Sequence, residues 1–222
     1  MTYDELLDRL WMFDSEVFAH DHLFVFINYR TGEEVALHNA KPDDYVTFFD
    51  KYNPILCGFN AKSYDNYILQ AILNGYSPEE VKKVNDFIIA GANGYELGMP
   101  YTEIPTVWDV FLEINPRKSL KELEGNMRLD ITETTIPFDL PTKLTDGEYQ
   151  EVLYYCEHDV RATKEVFDRL KNKYKSKYII AKLGKLNPEK ALAMTDANLT
   201  AALLGAERKE HKDNFIYTYP DV

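Results

Sequence analysis

Leu10-Trp11-Met12-Phe13-Asp14-Ser15-Glu16 is the stretch that decides the fold. Four consecutive apolar residues running directly into acids are too short for a helix. They read as a strand buried on both faces, and therefore as a central strand of a sheet. Asp14 and Glu16 lie two apart, so on a strand both side chains leave the same face. Either the strand end emerges into solvent with two surface acids, or the acids stay beside the core. There an unpaired carboxylate is costly, and a metal supplies the missing charge.

Working outward, Leu23 to Tyr29 and Glu34 to His38 read as two further strands joined by the turn chemistry of Arg30-Thr31-Gly32-Glu33. A helix is predicted from Pro42, a good first-turn residue, to Tyr52. Ile55 to Gly58 is a fourth strand. The next helix carries Tyr64, Tyr67, Ile68, Ala71 and Ile72 on one face and ends at Asn74-Gly75. Ser77-Pro78-Glu79-Glu80 opens another with a capping pattern. Residues 91 to 105 hold three glycines and two prolines and read as loop. Val107 to Phe111 is the fifth strand, and Ser119 to Met127 a short helix. Residues 128 to 144 read as extended loop. Thr145-Asp146-Gly147-Glu148 starts a long helix to about Tyr174, with Val152, Tyr155, Val160, Thr163, Phe167 and Leu170 as its apolar stripe. Helical pattern resumes near Pro188 and again over 195 to 206. Strands first, then strands alternating with helices, give an α/β fold with a mixed five-stranded sheet flanked by helices.

Two more acidic stretches follow in order: Asn60-Ala61-Lys62-Ser63-Tyr64-Asp65 and Tyr155-Cys156-Glu157-His158-Asp159. Asp65 falls in the first turn of its helix, where the dipole favours an anion, so it is a cap or a ligand. Asn60 either shapes the turn with its side chain or offers its amide to a bound strand. Tyr155 and Asp159 are four apart and share a helix face. Both sit on the apolar stripe, and an aspartate on a buried stripe needs a partner, for which a metal is the natural candidate. Tyr155 either packs as an aromatic or orients a water, since neutral tyrosine is a poor base near pH 7. His158 points to another helix face. Asp109 is a fifth inward acid, read as a structural cap or a group supporting the ligands, with a direct role at the metal as the alternative. Four carboxylates from distant positions make an oxygen cage for hard divalent cations, suited to two-metal hydrolysis of a phosphodiester.

The 222 residues, 45% hydrophobic with 16 tyrosines, are enough for one large domain or a domain plus an extension. No apolar run reaches the roughly 18 residues that span a membrane. Met1-Thr2-Tyr3-Asp4-Glu5 is acidic, unlike the start of a signal peptide. Cys57 and Cys156 lack metal spacing and read as reduced core thiols, which points to the cytoplasm. A net charge of -12 argues against nucleic acid. Its distribution answers that objection: from Arg161 to Lys190 there are 10 basic and 3 acidic residues. That segment is either a local grip on a phosphate backbone or a solvated helix face.

Taken together, the motifs resemble the DEDD superfamily of 3′→5′ exonucleases, with its DnaQ-like, RNase H-like fold. The third motif, Tyr155-x-x-x-Asp159, is of the tyrosine subtype. Asn60-x-x-x-Tyr64-Asp65 is similar to the proofreading domains of family B DNA polymerases. Val107-Trp108-Asp109-Val110, Ser119-Leu120-Lys121-Glu122-Leu123, Lys143 to Tyr149 and Ala193-Met194-Thr195 are similar to the exonuclease halves of bacteriophage polymerases, including the protein-primed type. The likeness covers about residues 8 to 172. It implies that Asp14, Glu16, Asp65 and Asp159 bind two Mg²⁺ or Mn²⁺ ions and that Tyr155 positions the water. Asn60 and Tyr64 would touch a single-stranded DNA 3′ end. Val17 and Phe18 would lie near the terminal nucleotide, with Phe18 as a stacking wedge or a core residue. Residues 1–174 would be the exonuclease domain. Residues 175–222 would be a helical extension or the start of a linker to a polymerase domain, whose own metal motifs this chain lacks. Two alternatives stand beside this reading. One is an RNA-trimming enzyme of the same superfamily, separable only by contacts to the 2′-OH. The other is a non-catalytic nucleic-acid or protein interaction module, against which the complete set of acids argues.

Overall fold

A computed structural model describes residues 1–206 of the chain. Five strands, β1 (Leu10–Val17), β2 (His22–Asn28), β3 (Glu34–His38), β4 (Ile55–Gly58) and β5 (Val107–Asp109), form one open mixed sheet in the order β3-β2-β1-β4-β5. β1 is central, antiparallel to β2 and parallel to β4. It runs on past the apolar segment, so Asp14 and Glu16 remain within the sheet, opposite Val25 and Leu23 of β2.

Helices cover both faces, which is why the strand carries apolar residues at successive positions. Leu10 and Met12 pack with α1 (Tyr3–Asp8) and with Val152, Val160 and Phe167 of the long helix α6 (Asp146–Leu183). Trp11 and Phe13 pack on the opposite face with α2 (Pro42–Tyr52), α3 (Asp65–Leu73) and α4 (Pro78–Ile89). There Trp11 meets Phe48 edge-on at 5.0 Å, and Phe13 stacks on Phe26 at 6.0 Å. Truncating Phe13, fully buried, is expected to cost about 3–5 kcal/mol. Asp14 and Glu16 share the Leu10–Met12 face, so the alternation along β1 aims them at α6.

Some boundaries differ from the sequence reading. α1 was not anticipated, although Thr2-Tyr3-Asp4-Glu5 carries its capping box, with the Thr2 hydroxyl accepting from Glu5 N and Glu5 accepting from Thr2 N. The long helix does not stop near Tyr174 but continues to Leu183. Tyr174, Lys177 and Ala181 extend the buried stripe at helical spacing, and no breaker occurs before Gly184. Strand β5 is cut short after Asp109, whose carboxylate accepts from Phe111 N at 3.0 Å and caps a 3₁₀ turn at Val110–Glu113. α5 (Leu120–Met127) is capped by Ser119. α7 (Pro188–Leu192) and α8 (Asp196–Leu203) fold back on α6. Leu192 joins the main core, and the Trp108 indole donates to the Glu189 carbonyl at 3.0 Å. Among the described residues no helix is long and apolar enough to cross a membrane.

Candidate active site

The three motifs meet in a cleft of about 610 Å³ between the C-terminal end of β1, the N-terminus of α3, the N-terminal turn of α5 and α6. Asp14, Asp65, Tyr155 and Asp159 line it together with Asn60 and Tyr64. Glu16 lies behind them, 7% exposed, and Asp65 is 3% exposed. Metal-ligating atoms of Asp14, Glu16 and Cys156 all fall within 4.8 Å of one another. Ser15, between the two acids of β1, turns the other way and donates to Asp65 Oδ1 at 2.5 Å. One strand thus supplies two acids and fixes the third.

Crowding of like charges governs the electrostatics. Burial, then Asp65, Glu16 and Asp159, push the Asp14 carboxyl well above the usual carboxylate range. Burial, then Asp159 and Asp65, do the same to Glu16, while Lys121 pulls the other way. Burial pushes Asp65 up to about 7, against the lowering effect of its bond from Ser15. The Tyr155 hydroxyl is held protonated by burial and then by Asp159, Glu16 and Asp14. Such a site binds protons or cations avidly. Its donors are carboxylate oxygens, and the nearby Cys156 thiol is itself kept protonated by burial and by the acids. The residues present therefore fit hard divalent cations better than thiophilic ones.

The turn between β4 and α3 is built for a close approach. A Cβ at Gly58 would stand 2.7 Å from Ala61 Cβ and 2.9 Å from the Phe13 ring, so only glycine fits there. Asn60 adopts a left-handed conformation with φ 58°. Its N–H donates to Asp109 Oδ1 at 2.9 Å, and Lys62 N donates to Asp109 Oδ2 at 3.1 Å. Asp109 is accordingly the clamp of this turn. The Tyr64 hydroxyl donates to Asn85 at 2.6 Å, which fixes its ring against the cleft.

Two expected substrate contacts are placed elsewhere. Val17 and Phe18 are each 2% exposed and belong to the core, with Phe18 stacked on Phe138 at 5.0 Å. Of the two roles open to Phe18, the core one matches its burial in the tight turn to β2, where Phe18 N donates to the Asp21 carbonyl at 2.8 Å. Part of the basic segment from Arg161 to Lys190 is engaged within the molecule, while Lys175, Lys182, Lys185 and Lys190 are exposed. Lys177 is 3% exposed and donates to Glu113 and to the Met194 carbonyl. Lys173 pairs with Glu113 at 2.8 Å, and Arg161 with Glu34 at 3.1 Å. These bonds dock α6 on its neighbours and leave Lys173 and Lys177 little capacity for a backbone.

What sequence reading missed is the cationic rim of the cleft. Arg117, Lys118 and Lys121 line the same cleft, on and just before the first turn of α5. Lys121 Nζ donates to Asp159 Oδ1 at 2.6 Å and stands 5.0 Å from the Tyr155 ring centroid. Glu124, fully buried, and His158 adjoin it, and ligand atoms of Glu124, His158 and Asp159 again lie within 4.8 Å of one another. Pro116-Arg117-Lys118-Ser119-Leu120-Lys121 carried the signal, as three cations within five residues around the capped start of a helix.

The fold and the site thus define an α/β protein with an acidic cluster able to hold a metal ion, in a cleft also lined by cationic side chains. No protein-family model, no curated protein and no solved structure matches the chain.

Proposed function

We propose that this chain is a metal-dependent 3′→5′ exonuclease of the DEDD type, tyrosine subtype, on an RNase H-like sheet, acting on single-stranded DNA 3′ ends. The observation that carries the reading is the meeting of Asp14, Asp65, Asp159 and Tyr155 at one cleft, with Glu16 buried beside them and Arg117, Lys118 and Lys121 in the same lining. Acids for metals beside cations for phosphates is the arrangement a phosphodiester requires. The mixed five-stranded sheet with its first acids on the central strand is compatible with this fold. By resemblance, the role is proofreading beside a polymerase domain or subunit.

Asp14, Glu16, Asp65 and Asp159 would hold two Mg²⁺ or Mn²⁺ ions, whose chemistry there would be to lower the pKa of a water and to offset charge on the phosphate. Tyr155, held protonated, orients that water by hydrogen bond and does not take its proton. Asn60 and Tyr64 hold the terminal nucleotide at the cleft wall. Arg117 and Lys118 take the phosphates on the rim. The acids take a 3′-terminal nucleotide splayed from its stack, so a paired end must first open at a cost of a few kcal/mol.

The test is degradation of 5′-labelled DNA and RNA oligonucleotides, single-stranded and blunt duplex, in Mg²⁺ and in EDTA. Stepwise shortening of single-stranded DNA in Mg²⁺ alone, lost in Asp14→Ala and Asp65→Ala, is expected. Full activity of either variant sinks the assignment, and faster shortening of RNA reassigns the substrate.

A further inference from the structure

We propose that Lys121 and a divalent cation compete for Asp159, and that Glu124 is the carboxylate that takes Lys121 when the cation wins. This rests on the metal reading of the cleft and adds a displaceable lysine to it. The Lys121 ammonium reaches Asp159 Oδ1 at 2.6 Å, the distance of a strong charge-assisted bond. The ammonium occupies one of that oxygen's acceptor positions and its charge repels a divalent ion at the same carboxylate, so the two cations compete. The same ammonium already offsets part of the charge on Glu16. It is therefore the protein's own cation in the cluster.

Glu124 supplies the second position. Lys121 Nζ stands 3.5 Å from each of its two carboxylate oxygens. Glu124 is 0% exposed, and its Oε2 has no hydrogen-bond partner. Such a carboxylate is costly to bury without a strong partner. His158 does not provide one, since its Nδ1 is 3.7 Å from Glu124 and 3.5 Å from Asp159. Lys121 and Glu124 are three apart on α5 and share a face. The move from one carboxylate to the other thus needs only rotation of the flexible lysine stem, with the helix fixed.

The two residues should then affect metal binding with opposite signs. Mn²⁺ binding to the full chain without substrate is measured by calorimetry and by electron paramagnetic resonance, with thermal unfolding as a fold control. Lys121→Met should bind Mn²⁺ at least about tenfold more tightly than wild type, the scale on which close charge pairs couple. Glu124→Gln, isosteric, should bind it about threefold to tenfold more weakly, because Lys121 then has nowhere else to go. The double variant should match Lys121→Met, since Glu124 acts through the lysine. Unchanged or weaker binding in both Lys121→Met and Lys121→Ala overturns the inference. If Asp65→Asn still abolishes binding in that case, the metal reading survives. A loss on Glu124→Gln that persists in the Lys121→Met background overturns the role given to Glu124. Mn²⁺ bound by neither wild type nor Lys121→Met overturns the inference and the metal reading together.

Discussion

Asp65→Asn should make the metal-free protein more stable while removing most of its response to metal. The carboxyl is 3% exposed, and burial raises it from 3.8 to about 7. Its folded value thus lies above the unfolded one, so the group favours folding most at pH below about 4. That contribution is lost as pH climbs through about 7, and above this the buried charge opposes the fold. A shift of this size, at 1.36 kcal/mol per unit, sets an upper bound of about 4 kcal/mol. Coupling to Asp14 and Glu16, which share protons with it, brings the expected figure nearer 1–3 kcal/mol. Asparagine keeps the acceptor that Ser15 Oγ donates to. In a chain of this length about 1 kcal/mol moves the midpoint by about 2–4 °C.

Thermal unfolding in EDTA at pH 8 should therefore show Asp65→Asn melting about 3–10 °C above wild type. At pH 4 the gap should close, because the wild-type carboxyl is then protonated. Mg²⁺ at a hundredfold over its dissociation constant should raise wild-type stability by about 2.7 kcal/mol, and this gain should shrink in the variant. A variant less stable than wild type in EDTA at pH 8, or one with an undiminished Mg²⁺ shift, refutes the picture of repelling carboxylates awaiting a cation.

Tyr155→Phe should lower turnover by about 10²-fold without abolishing it, the ordinary size of a lost positioning group, and should be milder than Asp159→Ala in the same single-turnover assay. Wild-type rates across pH would make Tyr155 a packing residue only. Replacing Arg117 and Lys118 by alanine should raise KM and flatten its salt dependence while sparing kcat, because phosphate contacts hold ground and transition states alike; an unchanged salt slope counts against the rim. Lys177→Met should cost about 3 kcal/mol in denaturant unfolding, since it strips a partner from buried Glu113, yet leave KM unchanged. A raised KM with unaltered stability would return Lys177 to substrate grip.

The contrast between what sequence displayed and what it concealed follows from where each signal resides. β1 and its acids were legible because a doubly buried strand shows as an apolar run and a shared face as a spacing of two. Asp159 was legible because helical spacing put a charge on the stripe of Val152, Val160 and Phe167. Asp109 was left open between cap and ligand, and only the fold, by bringing Asn60 N and Lys62 N to its oxygens, decides for the clamp. The cationic rim fails for a different reason. A run of lysines in sequence reports charge along the chain, whereas grip depends on which cations remain unengaged after folding. In the dense run at 171–177, Lys173 and Lys177 fold against Glu113 and Asp196, whereas Arg117, Lys118 and Lys121 of the sparse run line the acidic cleft. Charge density along the chain therefore does not report which cations line the cleft. Lys121 escaped notice because its meaning lies in a contact across 38 residues, to Asp159, which no periodicity encodes.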